Sequence, residues 1–69
     1  MKLHEYLKIK RIEKNISQYK VAKDLNIAIR NVQRWEEGTS LPNAKYIFKL
    51  IDYLELDQEQ VKKILYEQD

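Results

Sequence analysis

Arg30, Gln33 and Arg34 fall within about one helical turn of each other in the run AIRNVQRWEE, residues 28–37. On an exposed helix face, side chains at this spacing reach the same surface. The chemistry open to them is hydrogen bonding to the edges of base pairs. Arg pairs bidentately with the acceptors of guanine, and Gln pairs with adenine. An exposed Ile29 beside them would meet a thymine methyl. The plainer alternative is a solvated polar face with no partner. Catalytic chemistry has little material. His4 is the only His, and it lies near the amino end without a nucleophile–base partner. With no Cys, disulfides and thiolate metal sites are excluded. The acids of the second half have no His or Cys companions for a transition metal, and no Gly-rich phosphate loop exists. The expectation is a protein that is not an enzyme, with no metal site and no cofactor.

The segment that must position these residues is QYKVAKDLNIAIRNVQRWEE, residues 18–37. It reads as two short helices joined by a turn. Ala22 precedes Asn26 by four residues, and Val32 follows it by six. That spacing fits a helix-turn-helix, in which a small residue at Ala22 lets the two backbones approach. Asn26 then occupies the sharp turn, and Val32 fills the angle between the helices. Val21, Leu25, Ile27 and Trp35 complete an apolar underside at helical intervals. The outward face is left with Ile29, Arg30, Gln33 and Arg34, which such a unit offers to a DNA major groove.

The rest of the chain reads as helix as well, giving an all-α, compact bundle of about five short helices. The first is expected from about Leu3 to Lys14, with Leu3, Leu7 and Ile12 inward. Asn15 and Asn26 stand where left-handed backbone ends a helix, and Asn tolerates it best after Gly. Ser17 is the N-cap of the second helix, which ends at Leu25. The third begins near Ala28 without a side-chain cap and ends at Glu37, before Gly38. Asn43 caps a fourth, Ala44 to about Leu54, with Ile47, Leu50, Ile51 and Leu54 inward. A fifth spans about 57–67, starting at Asp57, with Gln60 as a capping-box partner. Val61, Ile64 and Leu65 form its apolar edge. Trp35, Tyr6, Phe48 and Tyr53 are expected to pack, while Tyr46 and Tyr66 are open between surface and interface roles.

At 69 residues the chain is expected to be one domain, 1–69, with a modest core. One Gly and one Pro argue against an all-β fold. Apolar runs are too short for a transmembrane span or signal peptide, and a cytoplasmic setting is expected. The net charge of +2 hides an asymmetry: +6 over Met1–Arg34 and −4 over Trp35–Asp69. A basic half beside an acidic half suits one face turned to a polyanion and another turned away.

The helix-turn-helix resembles that of the phage Cro and repressor family, also called the Xre family. The run VAKDLNI carries the family's hydrophobic–Ala–x–x–Leu–Gly–hydrophobic pattern, with Asn26 in place of the Gly. Ser17-Gln18 matches the entry to its first motif helix, and Arg34-Trp35-Glu36-Glu37-Gly38 with Pro42 matches the exit. The resemblance implies base contacts at Ile29, Arg30, Gln33 and Arg34. It also implies phosphate contacts among Gln18, Tyr19, Lys20, Asn31, Ser40, Asn43 and Lys45. Arg11 and Glu36 match positions that form an inward ion pair in the family. Glu37 departs from it, an acid that must point away from DNA or pair with a neighbouring Arg or Lys. Family members bind as two-fold dimers on inverted repeats of double-stranded DNA, so a homodimer is expected, with Val61, Ile64 and Leu65 supplying or bordering the contact. The implied function is sequence-specific duplex binding by a transcriptional regulator, a repressor, with neither membrane nor small-molecule ligand. Two rivals are a protein-interaction module, antitoxin-like or partner-regulated, with weak or secondary DNA binding, and an RNA-binding or purely structural domain. The aromatics, spaced for packing rather than as a stacking platform, speak against RNA.

Overall fold

Left-handed backbone at four residues punctuates the chain: Asn15, Asn26, Glu55 and Gly38 take φ of 58°, 57°, 55° and 81°. The computed structural model describes residues 1–67. Within them run five helices: α1 (Leu3–Glu13), α2 (Gln18–Leu25), α3 (Ile29–Glu37), α4 (Ala44–Leu54) and α5 (Gln58–Glu67). No strand occurs among the described residues. The last two residues of the 1–69 span lie outside the described residues.

Helix starts follow from single side chains. Ser17 Oγ accepts from the Lys20 amide at 3.0 Å, and Asn43 Oδ1 from the Tyr46 amide at 3.0 Å. Each satisfies a donor that the helix itself leaves unpaired. Asp57 Oδ1 accepts from the amides of Glu59 and Gln60 at 2.9 and 3.4 Å, so Asp57 is the cap and α5 begins one residue later. Ala28 likewise sits just outside α3, its backbone extended at φ −68° and ψ 139°. At α1 the chain closes on Lys14, making Glu13 the last helical residue.

One core gathers from all five helices. Leu3, Tyr6 and Leu7 of α1 meet Val21, Ala22, Val32 and Trp35 of the central pair, with Leu50, Ile51 and Leu54 of α4 and Val61 and Ile64 of α5 behind them. The Tyr6 hydroxyl accepts from the Asp57 amide at 3.1 Å, tying α1 to the start of α5.

Two apolar positions depart from the expected pattern. Ile12 is 56% exposed, because five residues past Leu7 carry the helix roughly 140° further round. The inward place one turn after Leu7 belongs instead to Arg11. Phe48, expected to pack, is 66% exposed. It stands beside the inward stripe of α4 and borders a shallow apolar groove between α4 and α5, shared with Ile47 and Leu65. Val61 and Ile64 are 3% and 1% exposed within the monomer. They close its core, and Leu65 beside them retains partial exposure.

Candidate nucleic-acid interface

The turn between α2 and α3 is built by the hydrogen bonds that close α2. The Ile27 amide donates to the Ala22 carbonyl at 2.9 Å and the Asn26 amide to the Lys23 carbonyl at 3.2 Å, while Asn26 turns the chain in left-handed backbone. Buried Ala22 offers only a methyl, so α3 comes close, and buried Val32 fills the angle. Trp35 holds the far side of α3 against α4, its ring 5.6 Å from that of Tyr46 and tilted 43° to it. With its back so fixed, α3 turns Ile29, Arg30, Gln33 and Arg34 to solvent, all four exposed. No side-chain hydrogen bond or ion pair ties Arg30, Gln33 or Arg34 to another described residue. The carboxyl end of α3 is closed by the Arg34 carbonyl, which accepts from the Gly38 and Thr39 amides, both at 3.1 Å. Its amino end has no side-chain cap, since Ala28 carries no acceptor.

Behind this face lies a charged cluster of the opposite kind. Arg11 Nε and Nη2 donate to the two carboxylate oxygens of Glu36 at 2.7 and 3.0 Å, and Arg11 Nη1 donates to the Ile16 carbonyl at 2.8 Å. Gln18 Nε2 adds a third donor to Glu36 at 3.0 Å. The two charged side chains are 13% and 6% exposed. One carboxylate of α3 thus takes two donors from Arg11 of α1 and one from Gln18 of α2, joining the three helices. The geometry is structural, and it fixes how α3 is presented.

The residues expected at phosphates are used unequally. Tyr19, Asn31 and Ser40 are exposed and make no side-chain bond among the described residues. Lys45 is exposed with its ammonium 5.7 Å from the Tyr46 ring. Gln18 has turned inward to Glu36, and Asn43 holds the start of α4. Lys20 is paired with Asp24 at 3.0 Å, and Asp24 also accepts from the Tyr53 hydroxyl. That hydroxyl, then Lys20, holds the Asp24 carboxyl below its ordinary range. Burial first, and then the bond to Asp24, pushes the Tyr53 hydroxyl up to about 12. Glu37 is exposed at the last turn of α3 and shares a shallow cleft with His4, Glu5 and Lys8 of α1.

The inward role of Gln18 and the Tyr53–Asp24 bond join residues 18 and 29 positions apart. Nothing local in the sequence signals either; only the Lys20–Asp24 pair has a local signal, its one-turn spacing. Among the described residues no three His, Cys, Asp or Glu gather to hold a metal ion, and no helix is long and apolar enough to cross a membrane. Compared with known proteins, residues 7–58 match the family model described as helix-turn-helix. No curated protein and no solved structure matches the chain.

Proposed function

Since the chain belongs to the Cro/C1-type helix-turn-helix family and is a DNA-binding domain of that kind, we propose that it reads specific double-stranded sites as a transcriptional repressor. The observation that carries this is the row on α3. Two guanidiniums and an amide stand exposed and unpaired on a helix whose opposite side is locked by Val32, Trp35 and the Arg11–Glu36 pair. In this reading Arg30 and Arg34 take guanine acceptors, Gln33 takes adenine, and Ile29 meets a thymine methyl. Tyr19, Asn31, Ser40 and Lys45 meet phosphates. Gln18 and Asn43 order the helix ends that face the backbone, and Lys20 adds a contact on leaving Asp24.

One recognition helix reads too few base pairs to define a site. The protein therefore acts as a two-fold homodimer on an inverted repeat, its recognition helices ~34–36 Å apart. The groove between α4 and α5, with Phe48 and Leu65 on its rim, borders the contact between copies. The whole span 1–69 acts as one domain, and a cytoplasmic setting accompanies such a role.

Selection of bound duplexes from a random pool at near-physiological salt tests the reading. The expected outcome is an enriched inverted repeat. A folded protein that enriches nothing moves the function to a protein-interaction module, the reading favoured by the exposed side chains of Phe48 and Tyr66.

A further inference from the structure

Lys45 and Lys49 lie one turn apart on α4, and both ammonium groups sit beside the same aromatic ring. Their Nζ atoms are 5.7 and 5.5 Å from the centroid of Tyr46. That ring is itself half-buried against Trp35 of the recognition helix, the two centroids 5.6 Å apart. The position of two cations is thereby referred to α3 through an aromatic pair. Neither lysine is within ion-pair distance of a carboxylate among the described residues, whereas Lys10, Lys14 and Lys20 each have one. Like charges at this spacing repel, and the electron-rich ring face offsets part of that repulsion. What remains is an unneutralised pair of positive charges, exposed to solvent and fixed relative to the recognition helix.

An anion with repeated charges answers that arrangement better than a single carboxylate. The phosphates of one DNA strand form such a row, at a spacing that lysines one helical turn apart can follow. We infer that Lys49 is a second contact to the DNA backbone, and that Tyr46 is the positioning residue that holds Lys45 and Lys49 against successive phosphates of one strand. This rests on the DNA-binding reading above and extends it beyond the loop before α4. The clamp carries no sequence information. Its effect is on the register of α3 in the groove, because the same ring contacts both Trp35 and the lysines.

The test titrates the full chain against a short fluorescein-labelled duplex of mixed sequence, across ~50–200 mM salt. Lys49→Gln is expected to weaken binding about five-fold near 0.15 M salt and to make the log–log salt slope shallower by about 0.9. Lys63→Gln on α5 serves as the control and leaves both unchanged. Tyr46→Leu acts in the same direction as Lys49→Gln, and Tyr46→Phe restores the parent behaviour because the ring face is kept. In a chain already carrying Lys45→Gln and Lys49→Gln, adding Tyr46→Leu weakens binding by a smaller factor than it does in the parent. A Tyr46 that merely packs against Trp35 would lower affinity by the same factor in both backgrounds, and this result removes its positioning role. Equal affinity and slope for Lys49→Gln and Lys63→Gln overturns the inference while leaving the DNA reading intact, provided Arg34→Ala still weakens binding. A parent chain with no salt-dependent duplex binding overturns both.

Discussion

Arg11 and Arg34 carry the same guanidinium on neighbouring helices and meet opposite surroundings. Around Arg11, three nitrogens are engaged by Glu36 and the Ile16 carbonyl, and the side chain is 13% exposed. The Arg34 side chain is exposed and makes no side-chain hydrogen bond or ion pair among the described residues. The difference arises from position. One turn after Leu7, Arg11 is carried inward by the same helical face that buries Leu3 and Leu7, so its charge must be matched inside the fold. Arg34 stands opposite the face that buries Val32 and Trp35, and nothing in the fold competes for it. Charge in this molecule therefore sorts into two kinds: charge that holds α3 in place, and charge that α3 holds out. The two should respond differently to substitution.

The largest effect expected is on the inward kind. Glu36→Ala strands Arg11 and removes the acceptor of Gln18, and is expected to cost ~3–5 kcal/mol of folding free energy, measured by urea denaturation. A loss below about 1 kcal/mol would put the cluster among ordinary surface pairs and break the distinction. Arg34→Ala should do the reverse. Stability stays within about 0.5 kcal/mol, while affinity for the selected site falls by ~1–3 kcal/mol with altered preference at one base pair, read by fluorescence titration on site variants.

Gly38→Ala probes the helix end between the two kinds. Its φ of 81° and a His4 Cδ2 only 2.8 Å from an added Cβ oppose any side chain. Because the His4 ring can swing aside, the cost is set mainly by the backbone, about 1–2 kcal/mol in a thermal melt. Tyr53→Phe is smaller, ~0.5–1.5 kcal/mol at neutral pH. Its sharper signature is in alkali. The Tyr53 pKa is raised from 10.0 to about 12 in the fold, so its contribution is complete below pH 10 and is lost as the pH rises through about 12. The parent should lose stability over that interval, and Tyr53→Phe should flatten that part of the profile. The smallest effect is a gain. Glu55 holds left-handed backbone at φ 55° with an exposed ion pair to Lys14 as compensation. Glu55→Asn should raise stability by about 0.5 kcal/mol, visible as a slightly higher Tm.

Much of this organisation was legible in the sequence because it is locally encoded. Ser17 and Asn43 cap the helices that they precede, Asn15, Asn26 and Gly38 supply left-handed turns, and Ala22 and Val32 sit where two helices cross. The misplacements have a common source. Ile12 and Phe48 are apolar and exposed, since hydrophobic residues need not be inside; only their angle about the helix decides, and it excludes both. Glu55 escaped notice because its left-handed turn follows from the chain's path into Leu56 and α5 rather than from a residue suited to it. At the candidate site the residue types on α3 were readable. How Gln18 and Asp24 are engaged was not, because Glu36 and Tyr53 reach them from elsewhere in the fold.

The most direct measurement is duplex selection from one random pool by the parent chain and by Arg34→Ala in parallel. An inverted repeat is expected for the parent, and for the variant the same repeat with information lost at one symmetric position in each half-site. An identical motif from both would contradict a reading role for Arg34, and the absence of a motif from a folded parent would contradict sequence recognition by α3 altogether.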